Sequence, residues 1–144
     1  MILREMLTED LDQVMEIEDN VFPDPWTKEG FFTFLIRKDS MFLVVEEKGR
    51  IIGYLGSLMV LDESDILNIA VTPERQKEGI GRFMLESLFR LSYDCGIRFV
   101  HLEVRESNET AIRLYERCGF QRDGLRKDYY TEPRENAVLM TKHM

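Results

Sequence analysis

Residues Asn68 to Leu91 read NIAVTPERQKEGIGRFMLESLFRL, and the changes of pattern inside this stretch decide the fold. Ile69-Ala70-Val71 is a short β-type run that Thr72-Pro73 ends, because proline has no N–H to give to a ladder. Glu74 to Glu78 form a charged loop closed by Gly79-Ile80-Gly81. From there apolar residues fall at Ile80, Phe83, Met84, Leu88 and Leu91, the spacing of one helix face. The expected order is strand, glycine turn, helix. The first turn of such a helix leaves N–H groups without intrahelical partners at its positive end, so an anion can sit there if the backbone comes close. Gly79 and Gly81 permit that approach, and Arg75, Lys77 and Arg82 add positive charge. A P-loop needs Gly-Lys-Ser/Thr and a dinucleotide fingerprint a third glycine, whereas this chain continues Arg82-Phe83-Met84 and matches neither. By itself a lone Gly-x-Gly reads first as a tight turn beside a solvated loop and second as a ligand site.

Working outward, Met1 to Met6 make a first strand and Thr8 to about Asn20 a helix with an apolar stripe through Leu11, Val14, Met15 and Ile17-Glu18. The two prolines of Phe22-Pro23-Asp24-Pro25-Trp26 exclude helix, and Thr27 can cap a second helix in which Phe31, Phe32, Leu35 and Ile36 share a face. Met41 to Glu47 and Ile51 to Leu61 form a hairpin around Lys48-Gly49-Arg50, and a turn at Asp62-Glu63-Ser64-Asp65 leads into the opening stretch. Gly96 stops the long helix, Ile97 to Val104 read as a strand reached by a right-handed crossover, and Asn108 to Cys118 as a helix stopped by Gly119. Strands at Phe120 to Lys127 and Ala137 to Lys142 finish the chain. The sum is an α/β chain with one mixed, mostly antiparallel twisted sheet of about seven strands flanked by about four helices.

A length of 144 residues suits one domain, 1–144, with its own core. The 44% hydrophobic and 32% charged content is that of a soluble globular protein. A net charge of -8 supplies no broad basic face, which argues against direct nucleic-acid binding and suits a cationic substrate such as an amine. Cys95 and Cys118 are too few for a disulfide framework and read as buried thiols in a reducing compartment. The N-terminus turns charged at Arg4-Glu5, unlike a signal peptide, and the Ile51 to Leu61 run is too short and interrupted to span a membrane, so the expected location is cytoplasmic.

Alternation in the strand ending at Val104 puts Phe99, His101 and Glu103 on one face and Val100, Leu102 and Val104 on the other. Glu103 lies at the strand's C-terminal end, where open sheets with helical crossovers bind ligands, and a partly desolvated carboxylate there can serve as general base. The plainer alternative is a strand-end glutamate paired with Arg105 or facing solvent. His101 reads as a packed or surface histidine, and with His143 as its only companion no metal site is expected. Asn108 or Ser107 can cap the following helix, on which Ala111, Leu114, Tyr115 and Cys118 share the inward stripe. A half-buried tyrosine with a backbone partner would account for Tyr115.

Gln76-Lys77-Glu78-Gly79-Ile80-Gly81, preceded by Ile69-Ala70-Val71-Thr72-Pro73, resembles the acyl-CoA-binding motif of the GNAT superfamily of N-acetyltransferases. Leu102-Glu103-Val104-Arg105, Ser107-Asn108, Ala111-Ile112-x-Leu114-Tyr115-Glu116 and Gly119-Phe120 are similar to its second block, especially in the RimI-type ribosomal-protein-alanine N-acetyltransferases. Phe22 to Trp26 and Arg126-Lys127-Asp128-Tyr129-Tyr130 resemble the substrate-side segments of the RimI type. The resemblance implies a GNAT-like fold in which Ile69, Ala70 and Val71 pair with the pantetheine arm of acetyl-CoA. It places Gln76, Lys77, Glu78, Gly79, Ile80, Gly81 and Arg82 around the pyrophosphate, with Asn108 as a further contact. It makes Glu103 the base, directly or through water, Tyr115 the acid, and Trp26, Tyr129 and Tyr130 contacts of a peptide N-terminus, with the alanine of a ribosomal protein as acceptor. RimI-type proteins carry asparagine before the tyrosine pair and Glu-Asp-Ala after a longer loop, where this chain has Asp128 and Glu135-Asn136-Ala137. Two other readings keep the same loop: transfer to a small amine or a lysine side chain, and a non-catalytic acyl-CoA-binding module.

Overall fold

The computed structural model describes residues 1–144. Its strands are β1 (Ile2–Glu5), β2 (Ser40–Glu47), β3 (Arg50–Val60), β4 (Glu63–Val71), β5 (Phe99–Arg105), β6 (Gln121–Thr131) and β7 (Arg134–His143). The helices are α1 (Leu11–Val21), α2 (Lys28–Leu35), α3 (Ile80–Asp94) and α4 (Glu109–Arg117). The strands form one sheet in the order β1-β2-β3-β4-β5-β7-β6, antiparallel at every pairing except the parallel β4 and β5 joined through α3. None of the helices is long and apolar enough to cross a membrane.

Local chemistry explains where the helices begin. Asp10 takes the Leu7 N–H at 2.7 Å and pairs with the Arg4 guanidinium, first through its hydrogen bond, which holds the carboxyl below its usual range. That pair pins the turn that opens α1 to β1. Thr27 accepts the Gly30 N–H at 3.0 Å and starts α2, as its position after the proline loop implies. The α2 face differs from the expected one: Phe31 is fully buried, but Phe32 and Ile36 are exposed. Phe34 takes their place by stacking on Trp26, which also meets Phe31, each at a centroid distance of 5.0 Å. The turn before β4 is shorter than expected, since the strand already begins at Glu63, and β6 runs on to Thr131 and so carries Tyr129 and Tyr130. Cys118 is buried but Cys95, just past the end of α3, is exposed, which corrects the reading of both thiols as buried.

Two apolar layers clothe the sheet. On one face α3 and α4 bring Ile80, Met84, Leu85, Leu88, Ile112 and Tyr115 onto Leu43, Val45, Ile52 and Leu55 and onto Val100, Leu102 and Val104. On the other α1 and α2 bring Leu11, Val14, Ile17 and Phe31 onto Phe42, Val44 and Tyr54. Alternation along each strand feeds both layers, as expected of a sheet covered on both sides.

One irregularity shapes the centre. Gly56 pairs with Asn68 and Ser57 with Ile66, so Leu67 is an extra residue in β4. A one-residue slip reverses which face each later side chain meets. Ile66 lies in the α3 layer, Ala70 in the α1 layer, and Ile69 and Val71 again against the α3 layer. Past this bulge β4 leaves β5: their parallel pairing covers only Glu63 with Phe99, Ser64 with Val100 and Asp65 with His101.

Opposite the bulge, a Cβ added to Gly56 would stand 2.4 Å from a ring carbon of Phe42, itself only 4% exposed. Gly56→Ala is expected to destabilise the protein by about 1–3 kcal/mol, read as a lower urea midpoint at unchanged slope.

Candidate active site

The separation of β4 from β5 leaves two strand edges facing each other without a ladder. In an antiparallel pair alternate residues send their N–H and C=O to opposite neighbours. Thr72 N–H bonds to Ile52 O at 2.9 Å on the β3 side, so the backbone groups of Ile69 and Val71 point the other way, toward β5. On β5, Glu106 N–H bonds to Asn136 O at 3.1 Å on the β7 side, so the groups of Glu103 and Arg105 point toward β4. The gap between them is lined by the unpaired edges of two strands.

At its end β4 runs into the loop singled out from the sequence. Gln76 folds back so that its side-chain amide donates to Val71 O at 3.1 Å. Gly79 caps α3 with φ +84, a conformation natural to glycine, and a side chain built there would meet nothing within 4 Å. Phe83 N–H takes the Gly79 carbonyl at 3.0 Å, so the N–H groups of Ile80, Gly81 and Arg82 have no intrahelical acceptor and sit at the positive end of a 15-residue helix. Gly81 lies within the first turn of α3, and a Cβ there would press on Leu114 at 3.2 Å, so besides leaving its N–H free it lets α3 and α4 approach. The charged residues also divide. Arg75 is held by Glu47 at 2.5 Å and Glu78 at 3.0 Å, Arg82 by Glu86 at 2.7 Å, and Lys77 makes no ion pair. The first-turn backbone amides of α3 are therefore the donors at this end that no ion pair or intrahelical bond occupies. Coenzyme A fits these residues: open space beside a left-handed glycine, free amides for a pyrophosphate, and an unpaired strand edge for its arm.

Glu103 and Tyr115 stand on opposite faces of the sheet. The strand alternation places Glu103 on the α1 and α2 side, opposite the buried Leu102 and Val104, while Tyr115 belongs to the α3 and α4 layer. The arginine beside Glu103 is Arg126 from β6, at 3.6 Å, and not Arg105 as a strand-end pairing would have it. The Tyr129 hydroxyl is raised above its ordinary pKa mainly by hydrogen bonding to Glu103, and Arg126 lies over the Tyr129 ring at 5.0 Å. Tyr115 is 7% exposed, and its hydroxyl makes none of the backbone hydrogen bonds that a structural tyrosine would use. Burial pushes its phenol well above the usual value, and nearby Tyr130 acts in the same direction, so it stays a neutral donor. Asn108 caps α4 by accepting the Ala111 N–H at 3.2 Å, which aims the helix carrying Tyr115.

Tyr129 and Tyr130 meet edge to face at 5.0 Å, both close enough to feel the Glu103 charge, and burial pushes Tyr130 up to about 12. Trp26 is held by a residue that the sequence placed on an apolar stripe without assigning it a role. Glu18 is 1% exposed and accepts hydrogen bonds from Trp26 N at 2.9 Å, Asn68 Nδ2 at 3.0 Å and the Tyr54 hydroxyl. Its carboxylate joins α1, the proline loop, β3 and the strand at the bulge. The signal was available: Glu18 falls four residues after Val14, a core position of α1. His101 bonds Thr141 at 2.8 Å and Glu63 at 2.7 Å, an interstrand role.

Residues 11–120 match the model of the acetyltransferase (GNAT) family. A Bacillus subtilis (strain 168) relative is 40% identical over 139 residues, covering 96% of this chain and 92% of its own. The ribosomal protein bS18-alanine N-acetyltransferase of Escherichia coli (strain K12) is 36% identical over 137 residues, covering 92% of this chain and 90% of its own. The crystal structure of the ribosomal-protein-S18-alanine N-acetyltransferase from Escherichia coli superposes with a TM-score of 0.92 at 33% identity, over 99% of this chain and 92% of that one. With a split sheet, a glycine-capped crossover helix and this likeness along nearly its whole length, the chain belongs to the GNAT family of acetyltransferases.

Proposed function

We propose that this acetyltransferase moves an acetyl group from acetyl-CoA to the α-amino group of a protein N-terminus, the alanine of ribosomal protein bS18, in the cytoplasm. The observation that carries the reading is the gap between β4 and β5, with Glu103 on one face and Tyr115 on the other, in a chain whose relatives are named for that reaction. The amides of Ile80, Gly81 and Arg82 and the cap at Gly79 would hold the pyrophosphate, with Gln76, Lys77 and Glu78 forming the loop and Asn108 a side contact. Ile69, Ala70 and Val71 would carry the pantetheine arm. Bound there, acetyl-CoA supplies an activated thioester carbonyl.

The residues of this chain do the rest. Trp26, Tyr129 and Tyr130 surround the acceptor chain on the Glu103 side. An α-ammonium has a reference pKa of roughly 7.7 to 8.0, against about 10.4 for lysine, so a single modest base frees it near neutrality. The Glu103 carboxylate receives that proton, and the incoming ammonium competes with Arg126 for the same oxygens. An N–H at the end of the Ile69-Ala70-Val71 edge donates to the carbonyl oxygen as it gains charge. As the C–N bond forms and the C–S bond breaks, the Tyr115 hydroxyl, held neutral by burial, gives its proton to the departing sulfur, and the second proton leaving the nitrogen restores the phenol.

Glu103→Gln is expected to lower turnover by about 10²-fold or more and Tyr115→Phe by a similar factor, with coenzyme A affinity by titration calorimetry within about twofold of wild type in the latter. Wild-type turnover in both variants would remove these roles. Because the Tyr115 phenol is raised, it remains protonated as pH climbs past its ordinary value of about 10. The wild-type rate should therefore show no decline from loss of this acid as the pH passes about 10. The acceptor is tested by mass spectrometry of an alanine-terminal bS18 peptide, an internal-lysine peptide and a polyamine, each incubated with acetyl-CoA. Acetylation of the first at its α-amine is expected, and preference for either of the others would reassign the acceptor.

A further inference from the structure

The inner strand β7 of the β6–β7 hairpin is well buried, but the outer strand and the tip need a support that burial does not provide. Strand β6 forms the sheet edge, pairs only with β7, and is exposed along its length except at Tyr130. Its register also slips between Arg126 and Tyr130. An edge strand this poorly buried sits at the low end of local stability, so the hairpin tip takes its direction from polar contacts.

Those contacts converge on Arg105, the last residue of β5. Its guanidinium donates to Pro133 O at 2.9 Å and to Glu132 O at 3.0 Å, lies over the Tyr130 ring at 4.2 Å, and stands 3.8 Å from the Glu135 carboxylate. The side chain is only 16% exposed. Glu135 in turn accepts from Ser107 N at 2.8 Å and from Ser107 Oγ at 2.5 Å, and these bonds hold its carboxyl below its usual range. Asn136 completes the tie: its side-chain oxygen accepts the Asp128 N–H at 2.9 Å and its amide donates to Glu106 at 3.3 Å. The hairpin tip is thereby fastened to the corner Arg105 to Asn108, where β5 ends and α4 begins.

From this geometry we infer that Arg105 and Glu135 form a latch that positions the acceptor side of the site. Arg105 is a positioning residue: it acts through Tyr130 and the hairpin carbonyls. Two carbonyls taken by one planar fork while the same plane stacks on a phenol is a task for guanidinium that an ammonium does not reproduce. Glu135 fastens the hairpin to Ser107, next to the residue that caps the Tyr115 helix. The latch therefore sets the Tyr129 and Tyr130 rings against Glu103 from one side while the corner that bears it aims Tyr115 from the other. The inference rests on the reading of Tyr129 and Tyr130 as acceptor contacts.

The test uses the whole chain as wild type, Arg105→Ala, Arg105→Lys and Glu135→Gln. Acceptor KM and kcat are measured at saturating acetyl-CoA with the alanine-terminal peptide and with spermidine, alongside coenzyme A titration, thermal melting and amide hydrogen exchange. Arg105→Ala is expected to raise acceptor KM by about tenfold or more, with kcat and coenzyme A affinity within about threefold of wild type. Arg105→Lys should recover only part of that loss, Glu135→Gln should raise acceptor KM in the same direction, and exchange should quicken at residues 128–136 and not across α3. If Arg105→Ala does not fold, Arg105→Lys and Glu135→Gln carry the same readouts. An unchanged acceptor KM in folded variants, or KM, coenzyme A affinity and melting temperature deteriorating in parallel, would overturn the latch. A mistaken acceptor shows in the wild type alone, as turnover of spermidine and not peptide. The latch is then judged on the spermidine KM ratio, or on hydrogen exchange if neither acceptor is used.

Discussion

The structure depends on a parallel strand pair that stops early. Between β4 and β5 the ladder ends at Asp65 and His101, and both strands continue with their inner edges unpaired. Backbone N–H and C=O groups in a sheet interior are costly to leave without partners, so a sheet tolerates such a gap only where water or another extended chain can reach it. The extra residue Leu67 produces the parting. It bends β4 away from its neighbour and reverses the facing of every later side chain, which turns Asn68 toward Glu18 and sends Ile69 and Val71 back to the α3 layer. A carboxylate then stands on one face of the sheet and a phenol on the other.

Charge is arranged around that gap by pairing more than by accumulation. The basic residues of the glycine loop are largely taken, Arg75 by two glutamates and Arg82 by one, while the first amides of α3 are left without intrahelical acceptors. On the opposite face of the sheet Glu103 has Arg126 and Tyr129 as neighbours. The buried carboxylate of Glu18 plays a structural part at the junction of the two regions, since three donors from three different segments satisfy it. Removing such a group would leave the donors unpaired in a dry interior, a cost usually larger than the pair's own net gain. The short loop after Thr131, where this chain departs from the RimI pattern, is accompanied by close use of its residues: Glu135 and Asn136 both bind back to the β5 corner.

Much of this was legible in residue patterns, because the relevant physics is local. Thr72-Pro73 ends a strand and Gly79 accepts a left-handed backbone wherever they occur, Asn108 and Thr27 cap helices by accepting an N–H three residues on, and period-two alternation separates Glu103 from Leu102 and Val104. The order of elements and the mixed sheet followed, as did the resemblance to acetyltransferases carried by the glycine loop and the block around Glu103 and Tyr115. Tertiary structure decided what depends on partners distant in sequence. A bulge exists only relative to the strand beside it, so no pattern within Asp65 to Val71 announced that Leu67 would be the extra residue. Whether Glu103 meets Arg105 or Arg126, whether Phe32 is buried, and which of Cys95 and Cys118 is covered are set by neighbours from other elements. Local sequence determined which segments could be strand, loop or helix, through backbone sterics and periodicity. Only the assembled sheet determined where two strands part, because that outcome belongs to the register between them.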